Sequence, residues 1–123
     1  MLDAAEVDAV TGWAVGAATP ASRSEPTPVR LCHFTDVDHR GTVQVVVADD
    51  VGDAPYVAAR QALAANPTVG DAVVPGASAA FQAPFDGIVG MVVDGRFVEV
   101  TVAGVGLDQA DHIELATIVA ERA

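Results

Sequence analysis

The residue types best suited to chemistry are concentrated in one short stretch, residues 31–41. This stretch contains the only cysteine of the chain, two of its three histidines and two aspartates: Cys32, His33, Asp36, Asp38 and His39. Thiol, imidazole and carboxylate groups bind zinc and also serve as nucleophiles, acids and bases. The stretch is therefore a metal or catalytic site, or it is a polar hairpin turn beside a single cysteine.

A shared metal ion is disfavoured by the alternation of side chains along a strand. Cys32 and His33 are neighbours in the predicted strand 29–35, so their side chains point to opposite faces of the predicted sheet. We therefore predict a structural thiol, no metal and no cofactor. His33 and His39 could still approach each other across the turn with Asp36 beside them, and these three residues form an alternative acid–base site.

Two further groups of titratable residues are interpreted without a ligand. His112 follows Asp108 by four residues in the last predicted helix, which predicts a solvated, acidic helix start. Asp49, Asp50 and Asp53 form an acidic loop, but the loop lacks the glycine-to-glutamate register of a calcium site.

The bulky apolar residues give the candidates for a ligand pocket. A curved antiparallel sheet that is covered by helices and filled with Ala, Val and Gly can leave a concave apolar space. The residues that could line it are Trp13, Phe81, Phe85, Met91 and Phe97. The alternative is that the same side chains complete the core.

The composition is strongly acidic. The chain has 17 acidic and six basic residues, a formal net charge of −11, and its basic residues are all arginine. The arginines are scattered, so we predict no nucleic-acid partner and no attraction to an anionic membrane. One cysteine cannot form an internal disulfide. We also predict no membrane span, since no apolar run approaches the required length.

Local sequence signals define the elements. Asp3 and Glu6 have capping-box spacing, and Asp94–Gly95 is a strong signal for a tight hairpin turn. In chain order we predict a helix within 2–12, strands over 29–35 and 42–48, a helix over 55–65, strands over 69–74, 77–83, 87–93 and 96–102, and a helix over 108–122. Residues 13–28 are predicted to be a Pro/Ser/Thr-rich surface loop with a short strand near Trp13.

These elements predict a single α+β domain over residues 1–123. Hairpin connections predominate, which favours an antiparallel twisted sheet of about five to six strands. Helices at the N-terminus, in the middle and at the C-terminus are expected to pack on one face of this sheet.

Several short motifs resemble a family of small uncharacterised actinobacterial lipoprotein domains. The motifs are LDAAEV at 2–7 with TG at 11–12, CHF at 32–34, VPGASAA at 74–80 and RFVEV at 96–100. The resemblance implies a fold and an exported context; it implies no catalytic residues. The chain departs from the pattern because it lacks an early cysteine and a lipobox, and Phe34 stands where the family has tryptophan.

We therefore expect a non-catalytic module that binds a small apolar molecule or a protein partner. The alternative is a small cone-shaped α+β enzyme of the isomerase, cyclase or hydratase type, with His33, Asp36 or His39 at the mouth of an apolar pocket. An exposed Val-rich sheet face would favour a homodimer. The chain as given predicts a cytoplasmic protein, whereas a preceding signal or lipobox would place it in the cell envelope.

Overall fold

The computed structural model describes residues 2–23, 29–48, 54–63, 69–83, 86–104 and 107–122. The helices are α1 (Ala4–Thr11), α2 (Ala54–Ala62) and α3 (Gln109–Arg122). The strands are β1 (Thr19–Arg23), β2 (Val29–Thr35), β3 (Gly41–Ala48), β4 (Gly70–Asp71), β5 (Ala79–Ala83), β6 (Ile88–Val93) and β7 (Arg96–Gly104).

The strands form one antiparallel sheet in the order β1-β2-β3-β7-β6-β5-β4. The α+β class and the three helix positions are confirmed. The sheet has one strand more at its edge than expected, because β1 forms inside the segment predicted to be a loop. Pro20 hid this strand from the sequence pattern, yet an edge strand tolerates a residue that has no N–H to donate. At the other edge, only Gly70–Asp71 of the predicted strand 69–74 pairs with β5.

One face of the sheet, called here the core face, carries the main hydrophobic core. Val43, Val45 and Val47 of β3 stand directly opposite Val102, Val100 and Val98 of β7, and all six side chains are buried. Helix α3 packs on β6 and β7 over this face, and α1 packs against α3. The helices are also joined by an ion pair of 2.7 Å between Arg122 and Glu6.

The opposite face is covered by α2 in the region of β5 and β6. Phe81 of β5 lies over Gly90 of β6, where a Cβ would overlap the aromatic ring. Tyr56 of α2 contacts the same ring, with the two ring centroids 5.4 Å apart. The expectation of a single helical face thus holds for α1 and α3, whereas α2 lies across the sheet from them.

The indole of Trp13 closes one end of the core face. Gly41 of β3 and Gly104 of β7 are paired across the two strands, and a Cβ at either position would overlap this indole. Trp13 is buried as a result. Because the two glycines have no side chains, the indole of Trp13 fits over this end of the sheet, where β7 ends and the chain continues towards α3.

The local signals at chain reversals formed as predicted. Asp3 and Glu6 make both hydrogen bonds of a capping box, and Gly12 ends α1 in the left-handed conformation. Asp94 and Gly95 both have positive φ, as a tight two-residue hairpin turn requires. None of the helices in the described residues is long and apolar enough to cross a membrane.

Candidate functional site

The side chains of the cluster at residues 31–41 lie on different faces of the sheet. Cys32 stands opposite Val45 and packs at the margin of the hydrophobic core, whereas His33 stands opposite Gln44 on the other face. The predicted alternation of the two side chains is confirmed. Cys32 is half-buried against apolar neighbours, which supports its interpretation as a structural thiol.

The Asp36 side chain has a structural role. Its carboxylate accepts hydrogen bonds from the backbone N–H groups of Ala14 (3.0 Å) and Arg40 (2.9 Å), and from Nε (2.7 Å) and Nη2 (3.2 Å) of the Arg40 guanidinium. The Arg40 guanidinium holds the pKa of Asp36 well below its usual range, because these bonds favour the ionised form. A carboxylate that is so fully bonded is a poor general base.

The alternative acid–base site is therefore not assembled. His33 is on the face opposite Cys32, Asp36 is buried at the end of β2, and His39 is exposed in the turn with φ of 58°. The backbone N–H of His39 donates to the Asp36 carbonyl at 3.0 Å, which is a turn contact. The turn thus positions Asp36 for Arg40 and does not bring the two imidazoles together with it.

The four described residues among the five proposed for an apolar pocket do not share a cavity. Trp13 and Met91 are buried in the core-face cluster, whereas Phe81 and Phe97 are buried on the opposite face. Phe85 lies outside the described residues. The alternative that these side chains complete the core therefore holds for the four described ones.

A pocket lies instead where β6 begins, β7 ends and the chain enters α3. Its volume is about 240 Å³, and it is lined by Asp86, Gly87, Val102, Ala103, Gly104, Leu107 and His112. We call it the His112 pocket. Both apolar and polar groups line it, and the backbone is tightly packed behind it, since the N–H of Val102 donates to the Gly87 carbonyl at 2.8 Å.

His112 contradicts its prediction as part of a solvated helix start. Only 8% of its surface is exposed, and its Nδ1 atom is buried without a hydrogen-bond partner among the described residues. Burial lowers the pKa of His112 below its ordinary value, although Asp111 and Asp108 act in the other direction. The imidazole, which lines the pocket, is therefore neutral at neutral pH, and its Nδ1 atom is shielded from solvent.

Sequence periodicity contained a signal for this burial. His112 precedes Leu115, Ala116 and Val119 by three, four and seven residues, which is the spacing of the apolar stripe of a helix. The acidic neighbours obscured it, but Asp108 and Asp111 have another function. Their side chains accept each other's backbone N–H groups at 3.0 and 3.1 Å, which caps α3.

Glu99 is a second titratable residue that the sequence analysis missed. It lies on the sheet face opposite the core face, between Val46 and Gly90 on the neighbouring strands. Burial raises the pKa of Glu99, and a side-chain hydrogen bond from Thr101 opposes the shift. No local pattern indicates this burial, since the solvation of Glu99 depends on its position between β6 and β3, and β3 is distant in the chain.

We expect Glu99→Gln to raise the melting temperature by a few degrees at pH 7. The folded-state pKa of Glu99 is raised, so ionisation above the unfolded value near 4.5 costs stability that a neutral amide does not lose. The gain should shrink to nothing near pH 4, where the carboxyl is protonated in both states. Thermal melts between pH 4 and 8 measure this difference, with Glu114→Gln on the exposed surface of α3 as the control. A gain that does not vary with pH would contradict the explanation.

A metal centre is not indicated in the part of the chain that the structure describes. There, no group of three or more His, Cys, Asp or Glu side chains is placed to hold an ion. The predicted acidic loop with Asp49, Asp50 and Asp53 lies outside the described residues.

Comparison with known proteins gives no relative from which function could be transferred. No protein-family model, no curated protein and no solved structure matches the chain. The resemblance to actinobacterial lipoprotein domains therefore stays a prediction, and the site has to be interpreted from its own geometry.

Proposed function

We propose that the protein is a non-catalytic binding module and that its ligand site is the His112 pocket. The observation that carries this proposal is the buried Nδ1 atom of His112, which has no partner among the described residues. A buried polar atom without a partner costs about 1–3 kcal/mol, so proteins rarely keep one that serves no purpose. The same imidazole lines the pocket, so a ligand that binds there contacts the ring that carries this cost.

The ligand that fits the pocket is small and has both apolar and polar parts. The pocket volume of about 240 Å³ is below the range of drug-sized sites and equals the liquid volume of roughly eight waters. Val102 and Leu107 offer apolar contacts, while His112 and Asp86 are polar. The sequence analysis predicted a small apolar ligand, and the lining of the pocket indicates that this ligand also has a polar group at one end.

A small ligand is favoured over a protein partner by the distribution of exposed apolar side chains. The large hydrophobic residues that are exposed among the described ones are Val37, Val57 and Val73. They belong to the β2–β3 turn, to α2 and to the segment after β4, and isolated residues of this kind are normal on soluble surfaces.

A thermal-shift screen tests the proposal. A ligand present at 100 times its Kd should stabilise the protein by about 2.7 kcal/mol and raise its melting temperature accordingly. His112→Phe keeps an aromatic ring of similar size and removes the polar atoms, so we expect it to fold at least as stably and to lose the ligand-induced rise. His39→Phe, at an exposed turn position, is the matched control and should keep the rise.

Two outcomes would contradict the proposal. One is a chemically diverse screen of small molecules in which none raises the melting temperature of the wild-type protein. The other is a rise of equal size in His112→Phe, because the stabilising ligand would then be bound elsewhere.

A further inference from the structure

Helix α3 carries a side chain that is both buried and able to become charged. His112 is the fourth residue of this helix and is buried in line with Leu115, Ala116 and Val119. Its Nδ1 atom is shielded from solvent and has no hydrogen-bond partner among the described residues. A neutral imidazole can place a lone pair at such an atom, so the packed position is compatible with the uncharged ring.

Protonation makes the same position unfavourable. An imidazolium has an N–H group at both ring nitrogens, so Nδ1 would hold a proton that neither water nor a described protein acceptor can receive. A buried donor on a charged group costs more without a partner than a neutral one does. His112 also lies in the first turn of α3, where the positive end of the helix dipole disfavours a cation.

The carboxylates near His112 do not remove this penalty. Asp111 and Asp108 act to raise the pKa of His112, but burial outweighs them and holds the pKa below its ordinary value. Each of these two carboxylates accepts a backbone N–H group at the start of α3, and neither is bonded to Nδ1. Asp86 lines the neighbouring pocket and is the third acidic residue near the ring.

The elements that pack on α3 are β6, β7 and α1, and their charged side chains lie elsewhere. Strand β6 has no titratable residue. On β7, Glu99 lies on the opposite face of the sheet, and Arg96 is at the far end of the strand from the pocket. On α1, Asp8 accepts a backbone N–H group, and Glu6 pairs with Arg122 at the other end of α3. These groups therefore leave the penalty on a protonated His112 in place.

We infer that His112 is an acid-sensitive switch: when its ring is protonated, the first turn of α3, residues 109–112, leaves the sheet while the rest of the helix stays packed. Release hydrates both N–H groups of the ring. A further contact of this turn with the sheet is weak, since the Gln82 side chain donates to the Gln109 carbonyl at 3.4 Å on the exposed surface. The later turns are held by the buried Leu115 and Val119.

The direction of the pH dependence follows from the burial of the ring. The pKa of His112 is lowered in the folded protein from its ordinary value of 6.5, so the packed first turn is most stable above about pH 6.5 and loses stability as the pH falls below it. The switch needs no ligand and goes beyond the proposed function.

Hydrogen exchange of the backbone amides, followed by NMR at pH 7.5 and 5.5 without any ligand, tests the switch. Rates are divided by the intrinsic rate at each pH to give protection factors. The amides of residues 112–116 report on the first turn, because their helical acceptors are the carbonyls of residues 108–112. We expect their protection to fall about three- to tenfold at pH 5.5, since a released ring that titrates at 6.5 favours release by at most about elevenfold there. The amides of β3 and β7 should change less than about twofold.

Variants assign the pH dependence to one ring. His112→Phe keeps an aromatic ring of similar size that cannot be protonated, so the amides of residues 112–116 should stay protected at pH 5.5. His112→Leu is a second apolar variant and should behave in the same way. His39→Phe, at the exposed turn, is the matched control and should show the wild-type loss.

Three results would overturn the switch. Wild-type protection at residues 112–116 that is the same at both pH values would show that the packed ring tolerates the proton. An equal loss at the amides of β3 and β7 would show unfolding of the whole domain in place of release of one turn. A loss that persists in His112→Phe and His112→Leu would show that another group titrates.

Discussion

Replacing Asp36 by alanine is expected to lower the melting temperature by about 10 °C. Only 1% of the Asp36 surface is exposed, and its carboxylate accepts hydrogen bonds from Arg40 and from the N–H of Ala14. The substitution removes all of these part-buried hydrogen bonds at once, so the donors on Ala14 and Arg40 lose their partner. Because Ala14 is adjacent to Trp13, the loss also loosens the segment that holds the indole over the sheet.

The variants Asp36→Asn and Asp38→Asn show how much each carboxylate contributes to stability through its interaction with the Arg40 guanidinium. Asp36→Asn can still accept from Ala14 but cannot pair with the Arg40 guanidinium, so we expect an intermediate loss. Asp38 lies 3.8 Å from the same guanidinium, but its side chain is 74% exposed, and Asp38→Asn should therefore change the melting temperature by no more than a few degrees.

The pH dependence of stability gives an independent check on Asp36. The folded-state pKa of this carboxyl is lowered below its unfolded value of 3.8, so the stability that it contributes is present above about pH 4 and is lost as the pH falls below it. Asp36→Asn should lack this part of the acid loss in urea denaturation measured from pH 2 to 7. Equal acid sensitivity in the two proteins would contradict the role assigned to the Asp36–Arg40 pair.

Replacing Trp13 by alanine is expected to reduce the free energy of unfolding by about 3–5 kcal/mol. The buried indole fills the space over the paired glycines Gly41 and Gly104, which have no side chains of their own to fill it. Trp13→Phe should lose clearly less, since it leaves a smaller cavity. Chemical denaturation measures both, and Val73→Ala, at a site that is 87% exposed, should change the value by less than about 0.5 kcal/mol.

A double-mutant cycle tests the geometry behind this prediction. Gly104→Ala places a methyl group against the indole in the wild-type protein, and overpacking of this kind costs about 1–3 kcal/mol. The same substitution should cost less when residue 13 is alanine, with a coupling of at least about 0.5 kcal/mol. Additive effects would show that Trp13 does not occupy the space above the two glycines.

The fold was predictable where the signals are local. The two central hairpins follow from β-branched alternation and, in one case, from the Asp94–Gly95 turn, while Asp3, Glu6 and Gly12 define α1. The edge strand β1 was not predictable, because its pairing with β2 outweighs the proline in its sequence. The packing of α2 on the opposite face also depends on a contact between Tyr56 and Phe81 that no local pattern encodes.

The candidate site was only partly predictable. Alternation correctly separated Cys32 from His33, and the turn accounts for Asp36 without a ligand. His112 was misjudged because the acidic residues beside it indicated solvent exposure, whereas those residues cap α3 and leave the imidazole to face β6 and β7. The pocket itself joins residues 86–87, 102–104, 107 and 112, and such proximity arises only when the sheet is assembled.

The most direct test of the ligand site is ¹⁵N NMR of the three histidine side chains, with and without the compound that gives the largest rise in melting temperature. At pH 7 we predict a neutral His112 ring whose Nδ1 carries the lone pair, and a change in the Nδ1 shift on ligand addition. His33 and His39 lie outside the pocket lining and are internal controls whose ring nitrogens should not change. Saturation with the ligand while the His112 ring nitrogens stay unchanged would contradict the account, because the ligand would then be bound away from the His112 pocket.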